Sequence, residues 1–223
     1  ILNTIPANFA SHYREKLDRD PHDWVLILTE MRVFYLVQNV WGFQVKGVDA
    51  ATIGTNKHNN AGKNVDLLVD IDGTDVFIEV YTPRPKYPVK QTAQVIDRYS
   101  RAIEHGRSKF CLGACNLIVL GDDDIPSILD DFGFVHCGDQ AVYLNGYIKE
   151  TGQIGPNQNQ FWDQSRSNID LSVISGSMIL RQSGSLKDQF AYHFAMNSNA
   201  GVRFPPKFED ALKKNAEFIV EEQ

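Results

Sequence analysis

Two acidic residues lie in an apolar segment that has the pattern of a β-hairpin. Asp66 and Glu79 occur in NVDLLVDIDGTDVFIEVYTP, residues 64–83, on either side of Asp72-Gly73. If Asp72-Gly73 form a type I′ turn, Asp66 lies opposite Glu79 with Cβ atoms about 5 Å apart. A longer loop would shift this register and could move the side chains of one strand to the opposite face of the sheet. Facing carboxylates repel each other unless a cation or proton lies between them, and Mg²⁺ prefers such oxygen ligands.

The two faces of the predicted hairpin differ in polarity. One face is apolar except for Thr74 at the turn, so we expect it in the core; it carries Val65, Leu67, Val69, Ile71, Val76, Ile78 and Val80. On the other face, Asp70 and Asp75 lie near the turn, where water can solvate them. Asp66 and Glu79 lie at the far end of that face. This pair is therefore the first candidate for a metal or catalytic site.

The segments before the hairpin predict a helix and a strand. Asp20-Pro21 is typical of an N-cap and a first helical residue, and the following residues are apolar on nearly all sides to about Val40. Glu30 lies in the middle of this helix and needs a partner or a function, because burying a lone carboxylate is costly. Residues 41–54 alternate loosely and predict a strand.

The segments after the hairpin complete an α/β fold with a mixed sheet flanked by helices. Apolar residues at three- and four-residue spacing predict a helix over 88–105 that ends at Gly106. Further predictions include a buried strand at 115–122, a short helix at 125–134 and a strand at 141–148. They also include a polar loop at 151–168, strands at 171–182 and 189–197, and a helix at 205–222. We expect a core over 1–150 with N-terminal helices, and an extension over 151–223 packed on the same domain.

Charge and cysteine content restrict the function classes. The net charge is −6, so the whole molecule does not attract nucleic acid. Residues 84–109, however, hold seven basic and two acidic residues, which suits a phosphate backbone or, alternatively, a solvated helix face. Three cysteines, an odd number, favour free thiols in a reducing compartment, the cytoplasm. No run of about 18 apolar residues predicts a membrane span.

The hairpin segment VDLLVDIDGTDVFIEVYTP resembles the core of the PD-(D/E)XK nuclease superfamily, the restriction-endonuclease-like fold. Asp66 matches the Asp of the motif, and Glu79 matches the Glu of its Glu-x-Lys. Glu30 is similar to the acidic residue that members often carry on the preceding helix. Gln91 or Gln94 resembles a glutamine that some subfamilies place on the following helix. The resemblance covers residues 21–122 and implies this fold, extended here by a C-terminal β-hairpin and helix.

The sequence departs from the family at the motif lysine, which is replaced by Tyr81. A phenol is neutral at pH 7 and cannot supply an ammonium charge. The resemblance implies that Lys90, near the start of the following helix, is the best substitute, with Lys86 and Lys63 as alternatives. It also implies that Asp66, Glu79 and the Val80 carbonyl hold Mg²⁺ or Mn²⁺. Glu30 would hold a second ion or its water.

Three functional hypotheses remain open on the sequence. The first is a Mg²⁺-dependent endonuclease that hydrolyses DNA phosphodiester bonds, favoured by Asp66, Glu79 and Glu30. The second is a degenerate copy of the fold that binds nucleic acid or a partner protein without cutting, favoured by Tyr81 and the net negative charge. The third is a purely structural mixed-sheet domain. A homodimer is compatible with all three.

Overall fold

A seven-stranded mixed sheet organises the chain. The structure is a computed structural model, and it describes residues 5–51, 64–82, 106, 109–110, 113–122, 172–181, 192–197, 200–216 and 218–220. The strands are β1 (Gln44–Ala51), β2 (Asn64–Ile71), β3 (Thr74–Tyr81), β4 (Cys115–Asp122), β5 (Gly176–Arg181), β6 (Tyr192–Met196) and β7 (Phe218–Val220). The helices predicted over 88–105 and 125–134, the strand over 141–148 and the loop over 151–168 lie outside the described residues.

The strands are adjacent in the order in which they occur along the chain. β1, β2 and β3 form an antiparallel meander, whereas β4 pairs parallel to both β3 and β5. β6 pairs antiparallel to β5, and β7 pairs parallel to β6. The prediction of an α/β fold with a mixed sheet flanked by helices is therefore confirmed.

The predicted turn and register of the β2–β3 hairpin are confirmed. Paired residues run from Ile71–Thr74 to Leu67–Ile78. Asp72 and Gly73 have φ angles of +51° and +87°, the left-handed values that a type I′ turn requires at both central positions. Extending the register by one residue places Asp66 opposite Glu79.

One face of the sheet forms the hydrophobic core. Alternate residues of β2 to β6 are buried there together, and among them are Leu67, Val69, Ile71, Val76, Ile78, Val80, Leu117, Val119, Met178, Leu180, Tyr192 and Phe194. The apolar face predicted for the hairpin is thus in the core. Since side chains alternate across a strand, Asp66 and Glu79 belong to the opposite face.

Three described helices contribute to this core: α1 (Ala7–Arg19), α2 (Trp24–Tyr35) and α3 (Pro206–Asn215). α1, for which the sequence predicts no bounds, buries Ala10 and Tyr13, and Phe9 and Leu17 pack beside them. The three- and four-residue spacing of these side chains gives α1 one apolar face. None of the helices in the described part of the chain has the length and hydropathy needed to span a bilayer.

The start predicted for the buried helix is wrong in detail. Residues Pro21–Asp23 form a 3₁₀ turn, and the Asp20 side chain makes no capping hydrogen bond. Asp20 instead pairs with Arg19, with Nε and Oδ2 2.9 Å apart. The helical region reaches Val40 as expected, but its last turn, Leu36–Val40, is a π-helix. The burial of α2 on more than one side is confirmed, since Ile27 and residues 29–34 are all buried.

The C-terminal prediction is also corrected. A single helix is predicted over 205–222, but α3 ends at Asn215 and Ala216 is extended. The chain then forms β7 beside β6. The apolar residues Phe218, Ile219 and Val220 therefore belong to the sheet, because pairing with β6 overrides their helical spacing. Of the three cysteines, only Cys115 is described, and it is buried as a free thiol.

Candidate functional site

Asp66 and Glu79 are both buried at the end of the hairpin far from the turn. Asp66 is 8% exposed and Glu79 is 1% exposed. The Val80 N–H donates a hydrogen bond to Asp66 Oδ2 at 2.7 Å, just beyond the last paired residues of β2 and β3. The Asp66 side chain is therefore held by the backbone of the strand that carries Glu79. Glu79 Oε2 is buried and has no hydrogen-bond partner among the described residues.

Lys109 forms an ion pair with the other oxygen of Glu79. Its ammonium donates to Glu79 Oε1, and both side chains are largely buried. Lys109 follows the helical Gly106, whose carbonyl accepts the Lys109 N–H at 2.9 Å. A Cβ on Gly106 would lie 3.5 Å from Glu79 Cγ and 2.7 Å from Ile118 Cδ1. A glycine therefore lets this segment approach the sheet closely enough for Lys109 to reach Glu79.

A second ion-pair group joins α1, α2 and β1. Lys16 Nζ lies 2.7 Å from Glu30 Oε2 and 3.2 Å from Asp49 Oδ1. His12 Nε2 lies 3.1 Å from the other Asp49 oxygen, Oδ2. His12 and Lys16 are four residues apart and so share one side of α1. The partner that Glu30 requires is thus a lysine from the N-terminal helix.

Asp49 connects this group to the Asp66–Glu79 pair across the sheet. The pairs Val48–Leu67 and Ala50–Val65 bracket it, so Asp49 lies beside Asp66 in the register of β1 and β2. Its φ of +47° lies in the left-handed region, which Asp adopts more readily than most residues but still rarely. Asp49, Asp66 and Glu79 therefore form one row across three adjacent strands.

Burial raises the pKa of both hairpin carboxylates. For Asp66, desolvation outweighs the lowering effects of Lys109 and of the Val80 N–H, so its pKa lies above the ordinary value. For Glu79, desolvation and the neighbouring Asp66 charge raise the pKa well above the ordinary value despite the ion pair with Lys109. Neither carboxylate is fully compensated by its neighbours, so the neutral form of each is favoured relative to an exposed carboxylate.

Desolvation and neighbouring charges also shift the pKa values in the second ion-pair group. Desolvation and the Asp66 charge raise the pKa of Glu30 to about 8, against the lowering effect of Lys16. Burial disfavours the charged form of Lys16, but Glu30 and Asp49 more than offset it, so the Lys16 pKa is raised. The Lys109 pKa is raised in the same way by Glu79 and Asp66. Both lysines therefore keep their positive charge at neutral pH.

Tyr13 is a buried residue whose hydroxyl is influenced by the charges of these carboxylates. The residue is 1% exposed, and its Oη has no hydrogen-bond partner among the described residues. Burial raises the Tyr13 pKa well above its usual range, and the charges of Glu30 and Asp66 add to the effect. The Tyr13 hydroxyl therefore stays neutral at ordinary pH.

The hairpin carboxylates fit a hard divalent cation. In the described part of the chain, no group of three or more His, Cys, Asp or Glu side chains is arranged to hold a metal ion. Mg²⁺, however, is commonly bound by one or two carboxylates and keeps several water ligands. Asp66 and Glu79 supply two carboxylates, and the unpartnered Glu79 Oε2 is an oxygen that such an ion would coordinate.

The structure brings together only some of the site residues that the sequence predicts. Asp66 and Glu79 lie together, and Glu30 lies close enough to raise the Glu79 pKa and to have its own pKa raised by Asp66. Val80 is buried and contributes its N–H to Asp66. Tyr81 is half-buried at the end of β3, beside Leu120 of β4. The predicted helix residues Lys90, Gln91 and Gln94 lie outside the described residues, as do Lys86 and Lys63.

Sequence reasoning missed four residues of the site, namely Lys16, Asp49, Tyr13 and Lys109. Lys109 is one of the seven basic residues counted in 84–109, but its spacing gives no sign that it reaches Glu79. The burial of Glu30 predicts a partner without identifying Lys16. Asp49 and Tyr13 carry no sequence signal, because their positions depend on how α1 and β1 pack.

Comparison of the chain with protein-family models, with curated proteins and with solved structures found no match.

Proposed function

We propose that this chain is a divergent member of the PD-(D/E)XK superfamily that hydrolyses DNA phosphodiester bonds with Mg²⁺ or Mn²⁺. The ion pair between Lys109 and Glu79 carries the proposal. Tyr81 occupies the position of the motif lysine, and its neutral phenol cannot supply the charge. Lys109 brings an ammonium group to the motif glutamate from another part of the chain. The order of strands and helices from α2 to β4 supports the restriction-endonuclease-like fold.

The residues of the site have distinct roles in this reaction. Asp66, Glu79 and the Val80 carbonyl would hold the divalent ion, which would supply Lewis acidity toward a phosphate oxygen and an attacking water. The Val80 N–H keeps Asp66 oriented for this role. Lys109 would donate to a phosphate oxygen and stabilise the negative charge that grows there during in-line attack. Roles for Lys90 and Gln94 rest on the resemblance alone.

The second candidate function is binding by a copy of the nuclease fold that has lost its catalytic activity. Tyr81 and the net charge of −6 favour it. In this alternative, Lys16 and Lys109 neutralise carboxylates that no longer hold an ion, and the fold binds nucleic acid or a partner protein without cutting.

Nicking of supercoiled plasmid DNA separates these functions. We expect the wild type to nick with Mg²⁺ or Mn²⁺ and to stop when EDTA is added. Asp66→Asn and Glu79→Gln should each reduce nicking at least about 100-fold, the scale for removing a preorganised stabilising group. Asp75→Asn is the matched control, because it neutralises an exposed carboxylate on the same hairpin. Plasmid binding without nicking in the wild type would favour the degenerate alternative and reject the nuclease.

A further inference from the structure

Lys16 holds the carboxylates that a second divalent ion would need. Its Nζ lies between Glu30 Oε2 and Asp49 Oδ1, at 2.7 Å and 3.2 Å. These two residues belong to different elements, α2 and β1, so the ammonium bridges a helix and the sheet. His12 lies against the remaining Asp49 oxygen, Oδ2. Glu30 is the acidic residue expected to bind a second ion or its water, and this contact competes with that role.

We propose that Lys16 takes the place of a second metal ion, so that this chain binds one divalent cation, at Asp66 and Glu79. The inference rests on the proposed function, because it assumes the metal site described there. It adds that the site works with a single ion. It further adds that a residue of α1, outside the segment that resembles the nuclease family, determines this number.

The charges around the site support a single ion. Glu30, Asp49, Asp66 and Glu79 supply four carboxylates, and Lys16 and Lys109 supply two positive charges. With all four carboxylates ionised, which a bound cation favours, the excess is two negative charges, and one divalent ion neutralises it. With Lys16 present, a second divalent ion would leave an excess of two positive charges in a largely buried space, against one without Lys16, and such a charge is costly.

Two unpartnered polar atoms indicate where a ligand would lie. Glu79 Oε2 and Tyr13 Oη are buried, and neither has a hydrogen-bond partner among the described residues. The Glu79 oxygen Oε2 has no hydrogen-bond partner among the described residues, whereas the Glu30 oxygen Oε2 is already bonded to Lys16. The oxygen that is free to bind an ion therefore belongs to the hairpin pair and not to Glu30 Oε2.

Counting bound Mn²⁺ ions by titration calorimetry tests the proposal. We expect one ion per chain for the wild type and two for Lys16→Met, which keeps the length of the side chain and removes its charge. Lys46→Met is the matched control with one ion, because Lys46 pairs with Asp70 and Asp75 at the turn. Two ions in the wild type, or one in a folded Lys16→Met, would overturn the proposal and leave the metal site intact. No ion in the wild type would refute both the metal site and the inference.

A measurement on the wild type alone covers the case in which Lys16→Met does not fold. The electron paramagnetic resonance spectrum at saturating Mn²⁺ should be that of an isolated ion. A spin-coupled spectrum from two neighbouring ions would overturn the proposal. This readout does not depend on nicking activity.

Discussion

The two ends of the β2–β3 hairpin use the same residue types with opposite results. At the turn, Lys46 Nζ lies 3.0 Å from Asp70 Oδ2 and 2.9 Å from Asp75 Oδ1, in contact with water. The Lys46 contact and the Gly73 N–H lower the Asp70 pKa. At the far end, Glu79 also pairs with a lysine, yet burial raises its pKa well above the usual range.

Desolvation explains this difference. Exposed ion pairs keep most of their hydration, so the lysine stabilises the charged carboxylate at little cost. Buried pairs lose their hydration, and the attraction between the charges only partly compensates for the loss. The far end of the hairpin is therefore an expensive arrangement for stability. The metal site that we propose would account for four carboxylates and two lysines gathered around this end of the hairpin.

The largest expected effect on stability comes from removing Lys16. Lys16→Met leaves Glu30 buried without its ion pair, and breaking a buried pair in this way typically costs about 3–5 kcal/mol. The loss should be largest at pH 9, where Glu30 is ionised, and smaller at pH 6, where Glu30 can keep a proton. Urea unfolding at the two pH values measures it. An equal loss of unfolding free energy at pH 6 and pH 9 would show that the cost does not come from the charge of Glu30.

Glu30 should also make stability depend on pH. Its pKa is raised from 4.5 to about 8 in the folded protein, so the folded state binds more protons than the unfolded state between these values. The resulting stabilisation is complete below pH 4.5 and is lost as pH rises through about 8. One such group contributes about 1.4 kcal/mol per pH unit in that window.

Glu30→Gln tests this dependence, because the amide keeps the shape of the side chain and cannot titrate. The free energy of unfolding of the variant should fall less steeply between pH 5 and pH 8 than that of the wild type. Asp66 and Glu79, whose pKa values are also raised, should leave some slope in the variant. Parallel profiles for variant and wild type would show that Glu30 does not titrate in this range.

The smallest expected effect lies at the turn. Lys46→Met removes a cation from Asp70 and Asp75, but all three side chains contact water. The unfolding midpoint in urea should stay within experimental error of the wild type, because exposed pairs contribute little. A loss as large as that of Lys16→Met would remove the distinction between the two ends.

The sequence predicts the hairpin well because its determinants are local. Asp72-Gly73 supply the two left-handed residues of the turn, and the turn sets the register by which Asp66 faces Glu79. The alternation of apolar residues then identifies the core face. By contrast, the N-cap at Asp20 follows a common pattern, but the Asp20 side chain pairs with Arg19 instead.

The rest of the site depends on packing between distant segments. Lys16 reaches Glu30 because α1 packs beside α2, and no local pattern encodes that contact. Lys109 lies in the connection between β3 and β4. It reaches Glu79 because Gly106 lets this segment approach the sheet closely. The extended conformation after Asn215 likewise reflects pairing of β7 with β6. Sequence reasoning therefore finds three of the four carboxylates and misses Asp49 and the lysines that pair with the group.

The source of the catalytic cation is the central claim, and plasmid nicking by two lysine variants tests it most directly. With Mg²⁺ or Mn²⁺ present, Lys109→Met should lose nicking while Lys90→Met still nicks, since Lys109 contacts Glu79. Both variants remove one positive charge from the same basic segment, so a general loss of DNA affinity would affect them alike. Wild-type nicking by a folded Lys109→Met would contradict the account, and loss of nicking in Lys90→Met alone would assign the cation to Lys90.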